Sequence, residues 1–144
     1  MKIYHIRTDG KAQSTGAVMR SMVEKYYLDM APYASLSVIQ VFNIIKNLPY
    51  RPDPVDIETL MRPKYTMTMR GYGGDCDCKA LALAALARLQ KIPYRFVAIR
   101  RPGRPVLHHV AVELFMQDQW IFFDPTYNFN SFATVRPEAE RVII

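Results

Sequence analysis

Apolar residues recur at helical spacing in the first part of the chain and at alternate positions in the last part, and the change falls near Pro93. From Thr15 to Leu28, Val18, Met22 and Tyr26 share one face of a helix, with Thr15 as its expected cap. Pro32 separates this helix from a second over Ser35 to Leu48. There Val38, Val41, Phe42, Ile45 and Leu48 stand three and four apart, a strong amphipathic stripe. Pro49-Tyr50-Arg51-Pro52-Asp53-Pro54 reads as an extended connection, because a residue before proline is driven out of the helical region. Asp56 to Met61 is expected to form one helical turn or two before Pro63, and Met1 to Thr15 a short edge strand or a loose arm.

Gly73-Gly74-Asp75, followed by an Ala/Leu-rich run ending at Leu89, is the pattern of a loop breaking into a helix with Asp75 as N-cap. Beyond it Tyr94 to Arg100 predicts a strand and Arg101-Pro102-Gly103-Arg104-Pro105 a turn. Val106 to Met116 predicts a second strand, Gln117-Asp118 a hairpin tip and Gln119 to Phe123 a third strand. Arg141 to Ile144 is a candidate closing strand. The expected class is α+β, with N-terminal helices and one further helix packed on an antiparallel sheet.

Composition narrows the class. With 144 residues, half of them hydrophobic, the chain is long enough for one domain with a real core, helical over about 15–62 and carrying its chemistry over about 63–130. No apolar run approaches the roughly 20 residues of a membrane span, and the N-terminus lacks a signal-peptide pattern, so no membrane partner and a cytoplasmic location are expected. The net charge of +6 favours acidic partners but is too mild to imply nucleic-acid binding by itself. Its densest basic cluster, Lys91, Arg95, Arg100, Arg101 and Arg104, reads first as a solvated rim of a hairpin, with only a faint lean toward acidic substrates.

The candidate chemistry centres on Cys76. Its place at a helix start favours a thiolate, while Asp75 and Asp77 oppose one, so a nucleophile there wants an imidazole beside it. His109 and Asp124 follow in an order compatible with a Cys-His-Asp triad, a constellation defined by geometry rather than sequence position. Strand register selects between the two adjacent histidines. A two-residue tip at Gln117-Asp118 pairs Met116 with Gln119 and sets Ala111 opposite Asp124. His109 and Asp124 then share a face as diagonal neighbours, and His108 points to the other face beside Val110 and Val112. Glu113 is expected to be an ion-pair or hydrogen-bond partner and Trp120 a core residue. Cys76, Cys78, His108 and His109 also form a nominal zinc set. However, positions two apart on a helix diverge by roughly 200 degrees, so Cys78 reads better as a small buried side chain.

Gly74-Asp75-Cys76-Asp77, the segment Lys91-Ile92-Pro93-Tyr94-Arg95-Phe96-Val97, His109-x-x-x-Glu113 and Trp120-x-x-x-Asp124-Pro125-Thr126 together resemble the transglutaminase-like core, from roughly Asp53 to Tyr127. That superfamily of papain-like fold includes transglutaminases, peptide N-glycanases and microbial cysteine peptidases. Cys78 departs from it, standing where the family commonly carries an acidic residue. The resemblance implies Cys76 as nucleophile, His109 as general base and acid, and Asp124 as the group orienting the imidazole. It also implies an oxyanion donor in the Cys76 backbone N–H; Tyr65 and Tyr72, near the loop in sequence, are expected only to pack. Hydrolysis of a peptide or glutaminyl amide through a thioester is expected, with no cofactor and a protein or peptide substrate. Amine transfer is one alternative. Another is a non-catalytic binding protein of phage assembly, virion-associated and with virion partners.

Overall fold

The computed structural model describes residues 3–6, 12–53, 58–67 and 73–144. Strand β1 (Ile3–Ile6) is followed by α1 (Ala12–Tyr26), a 3-10 segment (Tyr27–Tyr33), α2 (Val38–Lys46), β2 (Glu58–Met61), α3 (Pro63–Met67) and α4 (Cys76–Leu89). Four strands complete the order: β3 (Tyr94–Arg100), β4 (His109–Met116), β5 (Gln119–Phe123) and β6 (Glu140–Ile143). The last four form an antiparallel sheet in the order β5-β4-β3-β6, and β1 pairs with β2 in a separate ribbon. The mixed helix and antiparallel-sheet class is the one expected.

Helix α4 is the centre of the fold. Every residue from Asp77 to Ala87 is buried, so the helix is enclosed on all sides. Its Ala/Leu alternation suits that position: alanines admit close approach of α1, α2, α3 and the sheet, while Leu81, Leu83 and Leu86, none of them exposed, each contribute about 1.5–3 kcal/mol by burial. On the sheet, Phe96, Ala98, Val110, Val112, Leu114 and Phe123 join this core. Val97, Ile99, Ala111 and Phe122 form a smaller cluster of their own. That alternation is the period-two signal of the sequence made physical.

Several expectations change. Helix α1 begins at Ala12, so Thr15 is a buried helical residue and not a cap. The second helix is shorter than Ser35 to Leu48. It starts after Ser37, whose hydroxyl accepts from the Gln40 N–H while the Gln40 side chain accepts from the Ser37 N–H. Within the segment expected to be helical before Pro63, Glu58–Met61 is a strand, because β1 offers it a pairing edge; Asp56 and Ile57 lie outside the described residues. The helix comes after, with Pro63 at its first position, where the missing N–H costs nothing. Strands β3 and β5 have the predicted bounds, and β4 begins at His109 rather than Val106. Gln117 and Asp118 both have positive φ, 53° and 61°, as a tight two-residue hairpin requires. The closing strand β6 pairs with β3.

Candidate active site

Two glycines set the approach to Cys76. Gly73 has φ +77°, and a Cβ there would lie 2.0 Å from the Pro49 carbonyl oxygen. A Cβ on Gly74 would lie 2.5 Å from that of Cys78. The loop is tied down by Gly73 N–H to Thr66 O, Gly74 N–H to Pro49 O and Arg51 N–H to Gly74 O, a pairing that brings Tyr50 beside it. Asp75 caps α4 as predicted, its carboxylate accepting from the Cys78 N–H at 3.2 Å. Cys76 is half-buried at the first helical position, and Cys78 is buried.

The register expected for the β4–β5 hairpin is present, with Met116 paired to Gln119 and Val112 to Phe123. It brings His109 and Asp124 together: His109 Nε2 lies 2.8 Å from Asp124 Oδ2, both side chains being buried. Asp124 also accepts from the Thr126 N–H at 3.2 Å, while its own carbonyl accepts from the Asn130 side chain at 3.0 Å. Burial alone would push the Asp124 carboxyl up. The His109 contact and the Thr126 hydrogen bonds outweigh it and hold the group below the usual carboxylate range. Tyr127 stacks on His109 with ring centroids 6.3 Å apart and planes within 6°.

Cys76 and His109 line one cavity of about 360 Å³, together with Tyr50, His108 and Tyr127. The backbone N–H of Val110, next to His109, faces the Cys76 sulfur and favours its thiolate. The balance nevertheless runs the other way from a helix-end thiolate. Burial, then the Asp77 and Asp75 carboxylates, push the Cys76 thiol well above the ordinary range, so the group is a thiol at rest. His108 is also a correction. It precedes β4, so strand alternation does not send it to the opposite face; its ring lies 6.4 Å from that of His109, and both line the cavity.

Other expected residues fall elsewhere. Trp120 is partly exposed on the sheet under the Arg95 guanidinium, 4.2 Å from its ring centroid, and is not a core residue. It shares a face with Phe122 but stands nearer the hairpin tip, beyond the cluster that buries Val97, Ile99, Ala111 and Phe122. Glu113 pairs with Arg95 and Arg141 at 2.8 and 3.1 Å, the ionic role expected of it. Tyr65 sits near Arg62, and Tyr72 lies outside the described residues.

The sequence reading missed Tyr50, Tyr127 and Lys79. Lys79 is one turn along α4 from Cys76 and is 1% exposed; its ammonium donates to Leu48 O at 2.7 Å and Thr126 O at 2.9 Å. It ties α4 to the turn that carries Asp124. A lysine inside an otherwise Ala/Leu-rich helical run was the available signal. Asp53, Asp75 and Asp77 offer oxygens within 4.8 Å of one another. Burial, the hydrogen bond to Asp53 and that carboxylate's charge push Asp75 up to about 7. Among the described residues, the cysteines and histidines of the nominal zinc set do not gather into a metal-ligating group: Cys76 faces the cavity, whereas Cys78 packs beside Gly74.

The family model of the transglutaminase-like superfamily matches residues 25–125, a span that includes Cys76, His109 and Asp124. The chain belongs to that superfamily. It is thereby a member of a family of cysteine-based enzymes. A structural search finds similarity to a crystal structure described as a "Putative Cysteine Protease" from Cytophaga hutchinsonii, with TM-score 0.49 and 18% identity over 94% of this chain. The match covers 48% of that protein, so this chain spans about half its length. No curated protein matches the chain. Among the described residues no single helix of this superfamily member is long and apolar enough to cross a membrane.

Proposed function

We propose that this transglutaminase-like protein is a cysteine hydrolase of peptide or glutaminyl amides, with Cys76 as nucleophile, His109 as base then acid, and Asp124 as the group that orients the imidazole. The observation that carries the reading is that Cys76 and His109 line one cavity while His109 Nε2 is engaged 2.8 Å from Asp124. With the carboxylate as acceptor, Nε2 carries the hydrogen and Nδ1 the lone pair.

Because the Cys76 thiol is pushed up, proton transfer accompanies attack. Nδ1 takes the thiol proton as Sγ adds to the carbonyl carbon. The tetrahedral oxyanion is received by the Cys76 backbone N–H, with the hydroxyl of Tyr50, a residue of the same cavity wall, as a second donor. Imidazolium returns the proton to the departing amine, leaving a thioester. Water then adds, giving up a proton to Nδ1; the C–S bond breaks, the acid leaves and Sγ recovers its proton. Transfer to an amine requires a thioester shielded from water. A cavity walled by tyrosines, histidines and two exposed arginines has a polar lining that does little to exclude water, which supports hydrolysis.

Acylation by p-nitrophenyl acetate tests the reading. A burst of p-nitrophenolate equal to the enzyme, followed by slow turnover to acetate even when a primary amine is added, is the expected result. Accumulation of the acetamide of the added amine would identify a transferase instead. The raised Cys76 thiol gives some support to a binding role without turnover, and absence of any burst would favour it.

A further inference from the structure

Three arginines complete the wall of the cavity that holds Cys76 and His109: Arg101, Arg104 and Arg136. Among the described residues no carboxylate lines it. The three come from two separate connections, β3–β4 and β5–β6, so their convergence is a product of the fold and not of a local run of charge. Arg101-Pro102-Gly103-Arg104 is a hydrogen-bonded turn, with the Arg104 N–H donating to Arg101 O at 3.1 Å and Gly103 at φ +84°. Proline second and a positive-φ glycine third are the requirements of a rigid type II turn, which fixes where both guanidinium groups can reach.

The three charges are not equally committed. Arg101 donates to the carbonyls of Arg136 and Pro137 at 3.4 and 3.3 Å and lies 3.9 Å from Asp124, so it holds the second connection in place and is partly neutralised. Arg104 and Arg136 have no carboxylate partner among the described residues. Arg136 lies against the Tyr127 and Phe129 rings, 5.7 and 5.2 Å from their centroids, and Tyr127 in turn stacks on His109. A guanidinium braced on aromatic faces is held in position without being discharged.

We propose that Arg104 and Arg136 select an acyl donor bearing a carboxylate close to the bond that is cut, that is, an acidic peptide with Asp, Glu or a free C-terminus at the site. The inference rests on the reading of Cys76 as nucleophile and adds the class of substrate that reaches it. A carboxylate fits better than a neutral side chain because both arginines line the cavity without a carboxylate partner among the described residues, and a charged oxygen pair gives a guanidinium the stronger hydrogen bonds.

Alkylation by two reagents of one warhead tests this. Iodoacetate and iodoacetamide differ in charge, and the ratio of their rates at Cys76 cancels the thiolate fraction. Relative to N-acetylcysteine, that ratio is expected to be about tenfold higher in the protein, the scale at which a charged cleft concentrates an opposite charge. It should fall toward the reference in Arg104→Gln/Arg136→Gln. Lys25→Gln/Lys91→Gln, the same change in net charge at exposed positions outside the cavity, should keep the wild-type ratio. A ratio equal to the reference, or one indifferent to the arginine pair, overturns the proposal. If Cys76 reacts with neither reagent, the nucleophile reading fails and binding decides the substrate class. Cys76→Ala protein is titrated with acetyl-Glu-Glu-amide, acetyl-Gln-Gln-amide and an oligothymidylate by NMR. Tighter binding of the Glu peptide, lost in the arginine double variant, supports the proposal; equal binding of the two peptides, or tighter binding of the oligonucleotide, refutes it.

Discussion

His109 and Asp124 meet at 2.8 Å across the open end of the β4–β5 hairpin, one as the first residue of its strand and the other as the residue after its strand ends. The contact depends on a two-residue tip 8 positions from His109, at Gln117. A change of one residue in that tip would send the two side chains to opposite faces. Asp124→Asn tests what the contact does. An amide can donate to Nε2 and favour the wrong tautomer, so acylation by p-nitrophenyl acetate should slow by on the order of 10²–10⁴ with the fold intact. An unchanged burst rate would remove Asp124 from the machinery.

The same carboxylate is a stability group. Its folded pKa is depressed, so its contribution is present above the unfolded value of about 3.9 and is lost as pH falls through the lower folded value. Melting temperature of wild type should drop below about pH 4 more steeply than that of Asp124→Asn. Parallel curves would contradict this.

Asp75 runs in the opposite sense. Its folded pKa of about 7 lies above the unfolded value of about 3.9, so its contribution is full at acid pH and declines as pH rises through that window. Asp75→Asn keeps a cap oxygen for the Cys78 N–H and removes the repulsion with Asp53. The variant should be at least as stable as wild type at pH 8, with a flatter melting profile between about pH 4 and 7. Loss of stability at pH 8 would show that the carboxylate is needed for more than capping.

Lys79 is a strut with a measurable signature. Lys79→Met leaves the Leu48 and Thr126 carbonyls without their donor and should cost about 1–3 kcal/mol in denaturant unfolding. Burial pushes the ammonium down to about 8, against the pull of Asp124. Between that value and the unfolded one of about 10.4 the unfolded chain holds the extra proton, so wild-type stability gains with pH there. The variant should lack that gain, and a variant that keeps it would place its cause elsewhere.

Tyr50 separates two kinds of chemistry. An oxyanion donor assists addition to a carbonyl and does nothing for displacement at iodoacetamide. Tyr50→Phe should therefore lower the p-nitrophenyl acetate burst rate by roughly 10- to 100-fold, with a much smaller effect on alkylation of Cys76. Equal losses in both would mean that Tyr50 shapes the thiol and not the oxyanion.

What could be read along the chain was whatever a short window contains. The alternation of Tyr94 to Arg100 and Gln119 to Phe123 gave strand bounds that hold, and the Gln117-Asp118 tip gave the register that chose His109. Asp75 as a cap is equally local. The misses depend on distant partners. Glu58–Met61 became a strand because residues more than fifty positions earlier offered an edge. Lys79 is explained only by carbonyls at Leu48 and Thr126, and Tyr50 enters the cavity through its pairing with Gly74. Arg136 belongs to a segment with no periodic signal, placed by Arg101 bonding to its carbonyl. The thiol of Cys76 is raised chiefly by burial, a quantity that sequence does not display.

The most direct test of the central claim is the pH dependence of iodoacetamide alkylation at Cys76, mapped by peptide mass spectrometry in wild type and His109→Ala. Base assistance by His109 predicts that the wild-type rate rises well below the free-thiol value of about 8.5, while Cys78 stays unreactive. In His109→Ala that rise should vanish and leave only one above the free-thiol value of about 8.5. Superimposable profiles for the two proteins would contradict the account, since His109 would then have no hold on the Cys76 proton.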